Sequence, residues 1–357
     1  MIFMEHDIWK KVDFLYPNEI PTMISQEEKQ YLYWLGRSVW CGLGSVVEIG
    51  PWLGGSTICL AAGMQASGHD AREQLHTYDN FIWRDFMADR VPLPIQAGAS
   101  FHSFFLKNIQ DYEEIVKSYV RALPDEVIQG DGEASNKRFI EDEKVLIFEE
   151  ISHGVVEILF VDGAKSWRGM KHLLRVVCDH LVPGKTYFVC QDYKYWGTYW
   201  VPIMMSRLGK YLEPVHNTFN GTTVSFRLVS KIPKELIEGL EDHVMDMGTD
   251  QCLLEIEQAS SLLARDGDKL GAENLLLSKV SFLSHQNKVN RAVEEFKKIQ
   301  ESWPTFLNIS QLERAREYLL SEKAVEIARP IRLKVSYFYH TLLGVFNKIK
   351  RIAKLGL

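Results

Sequence analysis

Carboxylates recur in this chain at the ends of apolar runs. Glu48 stands in Val46-Val47-Glu48-Ile49-Gly50, Asp79 closes Leu75-His76-Thr77-Tyr78-Asp79, and Asp131 follows Val127-Ile128-Gln129-Gly130. Asp162 ends Val155 to Val161, and Gln191-Asp192 follow Thr186 to Cys190. Such groups accept hydrogen bonds from hydroxyls and amines, pair with a cation, or hold a hard metal ion. The first acid leads into Gly50-Pro51-Trp52-Leu53-Gly54-Gly55-Ser56-Thr57, a glycine-punctuated turn that opens a helix and aims amide donors at a ligand. Its Gly-x-x-x-Gly-Gly spacing is not that of a dinucleotide fingerprint, and no G-x-x-x-x-G-K-[ST] phosphate loop occurs. Glu48 would repel a pyrophosphate and attract an ammonium.

S-adenosylmethionine carries such an ammonium. At these residues the chain resembles the class I S-adenosylmethionine-dependent methyltransferases, in the branch that includes macrocin O-methyltransferase, whose first motif reads V-V-E-I-G-x-x-x-G-G-S-T. The resemblance covers the sheet domain only. It implies that Glu48, Gly50, Gly54, Gly55 and Ser56 hold the methionine half of the cofactor. Asp79 would take the ribose hydroxyls and Asp131 the adenine amino group, with Asp162 bordering the same site. It also implies O-methyl transfer to a hydroxyl of a saccharide or glycan intermediate, with Asp162, Gln191 and Asp192 at the place of a magnesium site. Two positions depart from that pattern. Gln191 stands where a second carboxylate is usual, which weakens the hold on Mg2+, and Lys165 stands where many relatives have a histidine. Lys165 is then a base, a substitute for the metal, or a structural partner of Asp162 and Asp192. Tyr193, Tyr195, Trp196, Tyr199 and Trp200 read either as a sugar-stacking platform or as cover for the sheet edge. Two rival readings stand beside this one: a non-catalytic binding or assembly protein on the same fold, and a metal-independent methyltransferase acting on a small phenol or at nitrogen.

The elements that would place these residues follow from periodicity. Ser25-Gln26-Glu27-Glu28 is a capping box that starts a helix carrying Tyr31, Leu32 and Leu35 toward the first strand. Strand, helix and strand then alternate, with Thr57 to Met64 and Arg168 to His180 as helices, which predicts an α/β fold with a doubly wound, mostly parallel, Rossmann-like sheet. Thr222 to Ser230 reads as a late antiparallel strand. Residues 80–126 form an aromatic insert that either roofs the pocket or packs as a satellite cluster, and 133–150 are a charged, solvated stretch. The expected organisation is an irregular segment over 1–24, a cofactor-binding domain over 25–232, a helical domain over 233–328 and a basic amphipathic helix over 329–357. The stretch Ala-Arg-Asp-Gly-Asp at 264–268 hints at a helix-hairpin repeat, without a second copy visible at a fixed period.

Composition narrows the partners. The 357 residues carry 41 Lys and Arg against 47 Asp and Glu, a net charge of −6, which is no nucleic-acid signature. Five scattered cysteines without a C-x-x-C pair argue against a disulfide framework or a zinc site and for a reducing compartment. A cytoplasmic protein is expected. The basic tail, with Val335, Phe338, Leu342, Val345 and Phe346 on one stripe, suits an anionic membrane surface, the protein's own sheet domain or a second copy.

Overall fold

The computed structural model describes residues 8–121, 154–302 and 310–322. Seven strands form one sheet: β1 (Ser45–Ile49), β2 (Leu75–Asp79), β3 (Val116–Val120), β4 (Val156–Val161), β5 (Tyr187–Cys190), β6 (Leu212–Asn217) and β7 (Val224–Leu228). Their order is β3-β2-β1-β4-β5-β7-β6. The first five run parallel, while β7 lies antiparallel to both β5 and β6. The expected mostly parallel α/β sheet is therefore present, and the strand order reverses between β1 and β4. At such a switch point two loops diverge beyond the strand ends and leave a crevice for a ligand.

The central strands are apolar because both faces are covered. Every residue of β1 and β4 is buried. Val46, Ile158, Phe160 and Val189 belong to the apolar cluster built on α1 (Gln26–Trp34) and α2 (Gly55–Ala66). Val47, Ile49, Leu159, Val161 and Phe188, at the alternate positions, face the other side. Helix α1 starts at Ser25 with the expected capping box, Ser25 N–H donating to Glu28 Oε2 at 2.8 Å and Glu28 N–H to Ser25 Oγ at 3.2 Å. It packs on α2 through small residues; Tyr31, Leu32 and Leu35 share the buried cluster with Val46 of β1, and the Tyr31 hydroxyl also donates to Ser225 on β7 at 2.5 Å, so the helix reaches the far strands as well. A Cβ at Gly36 would come within 2.5 Å of the Leu60 carbonyl, and one at Gly63 would collide with the Tyr33 carbonyl.

Several elements depart from the sequence expectation. The third strand is β3, inside the stretch read as an insert; the expected strand at 127–132, with Asp131, and the charged run at 133–150 lie outside the described residues. The insert carries α3 (Asp85–Ala88) and α4 (His102–Asn108), with Phe81, Trp83, Phe101 and Phe105 fully buried in it. Strand β6 was not foreseen, because Leu-Glu-Pro-Val-His-Asn contains a proline; it is an edge strand with a register shift at Pro214, where a missing N–H is tolerated. After α5 (Trp167–Val177), the aromatic run leads into α6 (Trp200–Arg207). Tyr193, Trp196, Tyr199 and Trp200 are all buried, and the Trp200 indole donates to the Ala164 carbonyl at 2.9 Å, so four of the five aromatics cover the sheet edge and only Tyr195 is exposed.

Beyond the sheet come α7 (Lys234–Glu238), α8 (Thr249–Arg265), α9 (Lys269–His285) and α10 (Val289–Ser302), then a helical stretch over residues 310–322. The helical C-terminal region is thus as expected. The hairpin hint has a second copy after all. Gly267 and Asn287 both take left-handed φ, at +90° and +57°, and each turn closes with the same backbone bonds, Asp268 N–H to Leu263 and Lys288 N–H to Leu283. Asn substitutes for Gly because it tolerates that conformation, which hides the repeat from a search for identical residues. Contacts divide the chain into two compact units, Met1–Ser278 and Lys279–Leu357. All five cysteines are unpaired. Among the described residues no helix is long and apolar enough to cross a membrane, and the basic tail at 329–357 lies outside them.

The α1–α2 contact yields a test. Gly63→Ala gains about 1 kcal/mol of helix propensity but pushes a methyl into a main-chain carbonyl that belongs to a neighbouring helix and cannot rotate away. A net loss of about 2 kcal/mol is expected, read as a lower melting temperature in circular dichroism.

Candidate functional site

The site is built at the C-terminal ends of β1, β2, β4 and β5. Glu48 is fully buried, and the helix that follows β1 supplies its hydrogen-bond partners: Ser56 Oγ donates to Oε1 at 2.5 Å and Thr57 Oγ1 to Oε2 at 2.6 Å. Burial still dominates and raises its pKa to about 7; the two hydroxyls oppose that rise, and the nearby charges of Asp162 and Asp79 add to it. Asp79, at the end of β2, accepts the Phe81 N–H at 2.6 Å, and desolvation raises it to about 6 against that bond and the Arg84 charge. Glu48, Asp79 and Asp162 therefore lie close enough to oppose one another's ionisation, and the structure brings these three predicted residues together.

Gly50, Gly54 and Gly55 shape the turn for internal reasons. Gly50 has φ +86°, and a Cβ there would stand 2.6 Å from the Gly163 nitrogen, so the loops after β1 and β4 touch back to back. A Cβ on Gly54 would meet Ile109 Cγ2 at 2.9 Å, and one on Gly55 would meet Thr22 Oγ1 at 2.5 Å. The close approaches expected of a ligand are made at these two positions by the insert and by the N-terminal segment.

Backbone strain concentrates along the same edge. Trp52 after β1, Phe81 after β2 and Asp192 after β5 are non-glycine residues at φ +43°, +53° and +58°. A bulky side chain in the left-handed region costs roughly 1–2 kcal/mol, and such residues cluster where geometry serves a site. Two polar groups next to this edge have no hydrogen-bond partner among the described residues: the buried Trp52 indole N–H, and the hydroxyl of Thr77, which pairs in register with Glu48.

On the β4 and β5 side, Lys165 Nζ lies 2.5 Å from Asp162 Oδ1 and 2.8 Å from Asp192 Oδ2. The lysine stem is about half exposed, at 49%, so this is the open flank of the site. Burial alone would lower the Lys165 pKa, but the charges and hydrogen bonds of Asp162 and Asp192 outweigh it and hold the group above the ordinary lysine range, as an ammonium. Asp162 is raised by desolvation, with Lys165 opposing and Asp192 adding. Gln191 turns elsewhere: its Nε2 donates to Glu28 Oε1 at 3.2 Å and to Thr222 Oγ1 at 3.0 Å, and its Oε1 accepts from Thr223 Oγ1 at 2.5 Å. Magnesium requires about six oxygen ligands in octahedral array. Here an ammonium fills the space between the two carboxylates and the amide oxygen of Gln191 is already engaged, so the residues present do not fit a magnesium ion. Among the described residues no group of three or more His, Cys, Asp or Glu is disposed to hold a metal.

Glu28 is the participant that sequence reasoning took only for a helix cap. Its Oε1 accepts the N–H groups of Thr222 and Thr223, at 2.8 and 3.2 Å, and the Gln191 amide. Its neighbour Glu27 accepts the N–H groups of Phe219 and Asn220. The capping-box motif was the available signal; the second role depends on a loop nearly two hundred residues away in sequence.

A buried carboxylate with a raised pKa binds its proton more tightly folded than unfolded. Between its ordinary value and about 7, Glu48 therefore lowers stability as pH rises, by on the order of 3 kcal/mol once fully ionised. Glu48→Gln, of nearly the same shape, is expected to melt above the wild type at pH 8 and close to it at pH 5, in thermal denaturation followed across that range.

No family model and no curated protein matches the sequence. Among solved structures, the chain is similar to one described as the crystal structure of cofactor-bound Rv0187 from MTB, at 15% identity and a TM-score of 0.36, over 60% of this chain and 85% of that one.

Proposed function

We propose that this chain is an S-adenosylmethionine-dependent methyltransferase that methylates a hydroxyl oxygen. The observation that carries the reading is the group of buried carboxylates Glu48, Asp79 and Asp162 at the β1–β4 switch point, desolvated first and opposed by one another's charge second, at least two of which a cationic ligand would relieve. A phosphate-bearing cofactor would aggravate the same repulsion. S-adenosylmethionine brings an ammonium, a sulfonium and ribose hydroxyls, and supplies an electrophilic methyl group when bound. In this reading Glu48 takes the ammonium through the turn at Gly50, and Asp79 takes the ribose hydroxyls. Trp52 and Thr77 have donors to offer the same ligand.

The Asp162–Lys165–Asp192 group then serves the acceptor. As an ammonium, Lys165 orients the acceptor oxygen and stabilises its developing negative charge, the task a metal performs in the resembled branch. S-adenosylmethionine held by Glu48 and Asp79 would supply the electrophilic methyl group to that oxygen. The acceptor's proton passes to Asp162, whose raised affinity makes it a better base than an ordinary aspartate. The acceptor class we propose is a saccharide or glycan hydroxyl; of the five aromatics after Asp192, Tyr195 is the exposed one. A non-catalytic binding role is favoured by one observation, the double ion pairing that keeps Lys165 from acting as a free amine.

Calorimetric titration with S-adenosylmethionine and S-adenosylhomocysteine tests the cofactor. Binding is expected in the wild type and at least about tenfold weaker in Glu48→Ala and Asp79→Ala, the loss of one charge-assisted contact each. Because the ligand ammonium pairs with ionised Glu48, affinity should rise as pH passes upward through about 7, with release of a proton. A folded wild type that binds neither compound would end the methyltransferase reading. If binding is intact while Asp192→Asn turns over acceptors as fast as the wild type, the chemistry assigned to the Lys165 group is wrong.

A further inference from the structure

The Asp192 turn is tied to the helical region through a buried charge that the proposed chemistry does not use. Lys194, two residues past Asp192, is 1% exposed at its side chain, and its ammonium donates to Asn217 Oδ1 at 2.9 Å, to the Thr218 carbonyl at 2.6 Å and to Asp268 Oδ2 at 2.8 Å. All three of its protons are thereby satisfied. Asp268, itself 3% exposed, also caps α9 by accepting the Gly271 N–H on Oδ1 at 2.8 Å. A Cβ on Gly271 would lie 2.6 Å from Lys194 Cδ and 2.5 Å from Asp268 Oδ2, so the lysine stem passes through a gap that only glycine leaves open. Asn217 links the same turn from the other side, its amide donating to Asp266 and Asp268.

The strained residue is the one this network can hold. Asp192 sits at φ +58°, with its N–H donating to Thr222 Oγ1 at 3.3 Å, while Lys194 N–H reaches the Thr222 carbonyl at 3.2 Å. Without an anchor beyond it, the turn would relax toward ordinary backbone and carry the Asp192 carboxylate off Lys165. We propose that Lys194 and Asp268 are positioning residues: the α8–α9 turn holds the Asp192 turn in its left-handed form and so sets the Asp192–Lys165 pair. The α8–α9 turn is then a working part of the site. This inference does not rest on methyl transfer.

The test reads Lys165 directly, by heteronuclear NMR of lysine side-chain nitrogens in the full-length protein, assigned with Lys165→Arg. Three variants perturb the anchor: Lys194→Met, Asp268→Asn, which keeps the helix cap, and Gly271→Ala, which removes no charge. In each folded variant the Lys165 titration is expected to fall by about one pH unit as Asp192 moves away, a tenfold change in proton affinity. Lys194→Arg should restore part of it. A folded variant with Lys165 titrating as in the wild type would overturn the proposal. So would failure of all three to fold, which would place the network in general stability. Neither result depends on whether the cofactor titration succeeds.

Discussion

Gathering carboxylates on one edge of a sheet is the constraint on which the remainder of the structure depends. Glu48, Asp79, Asp162 and Asp192 would drive that edge apart if each were not supplied with donors or a counter-charge. The supply comes from separate elements: two hydroxyls at the start of α2, the N–H of a strained Phe81, and the Lys165 ammonium. Each supplier fixes a loop. Helix α2 must begin where Ser56 and Thr57 reach Glu48, and the β4 loop must turn at Gly163 so that Lys165 comes back between two acids. The balance is incomplete: burial first, and the neighbouring carboxylates after it, leave Glu48 and Asp79 holding their protons more tightly than ordinary acids.

The same logic explains how the ends of the sheet are tied together. Glu28 closes a helix terminus with one oxygen and a distant hairpin with the other, so α1 cannot form its cap without ordering the Thr222–Thr223 turn behind Gln191. Gly221 is required there because a side chain would overlap the Glu28 carboxylate. Lys194 performs the corresponding task toward α9. Removing one member of such a fully paired buried ion group costs about 3–5 kcal/mol, because its partner is left charged and desolvated.

Strands were legible where burial was two-sided. β1, β4 and β5 read as largely apolar runs because both faces are covered, and their bounds and those of β2 fall within a residue or two of the expectation. β3 and β6 did not, since they are the two edges: Val-Lys-Ser-Tyr-Val is mixed in character, and β6 contains Pro214. The aromatic run after Asp192 carried no signal to distinguish a binding platform from a cover, because a ring that packs and a ring that stacks on a ligand are the same residue. Its burial decides for cover at four of five positions.

The sequence by itself determined the alternation of strand and helix, the glycine turn after Glu48, the Ser25 cap and the acids at four described strand ends, because each rests on neighbours within a few residues. Only the tertiary structure decided what those acids face. That Lys165 stands between Asp162 and Asp192, that Gln191 turns away to Glu28, and that Lys194 reaches Asp268 all depend on which loops the strand order brings side by side, and no local spacing encodes that order.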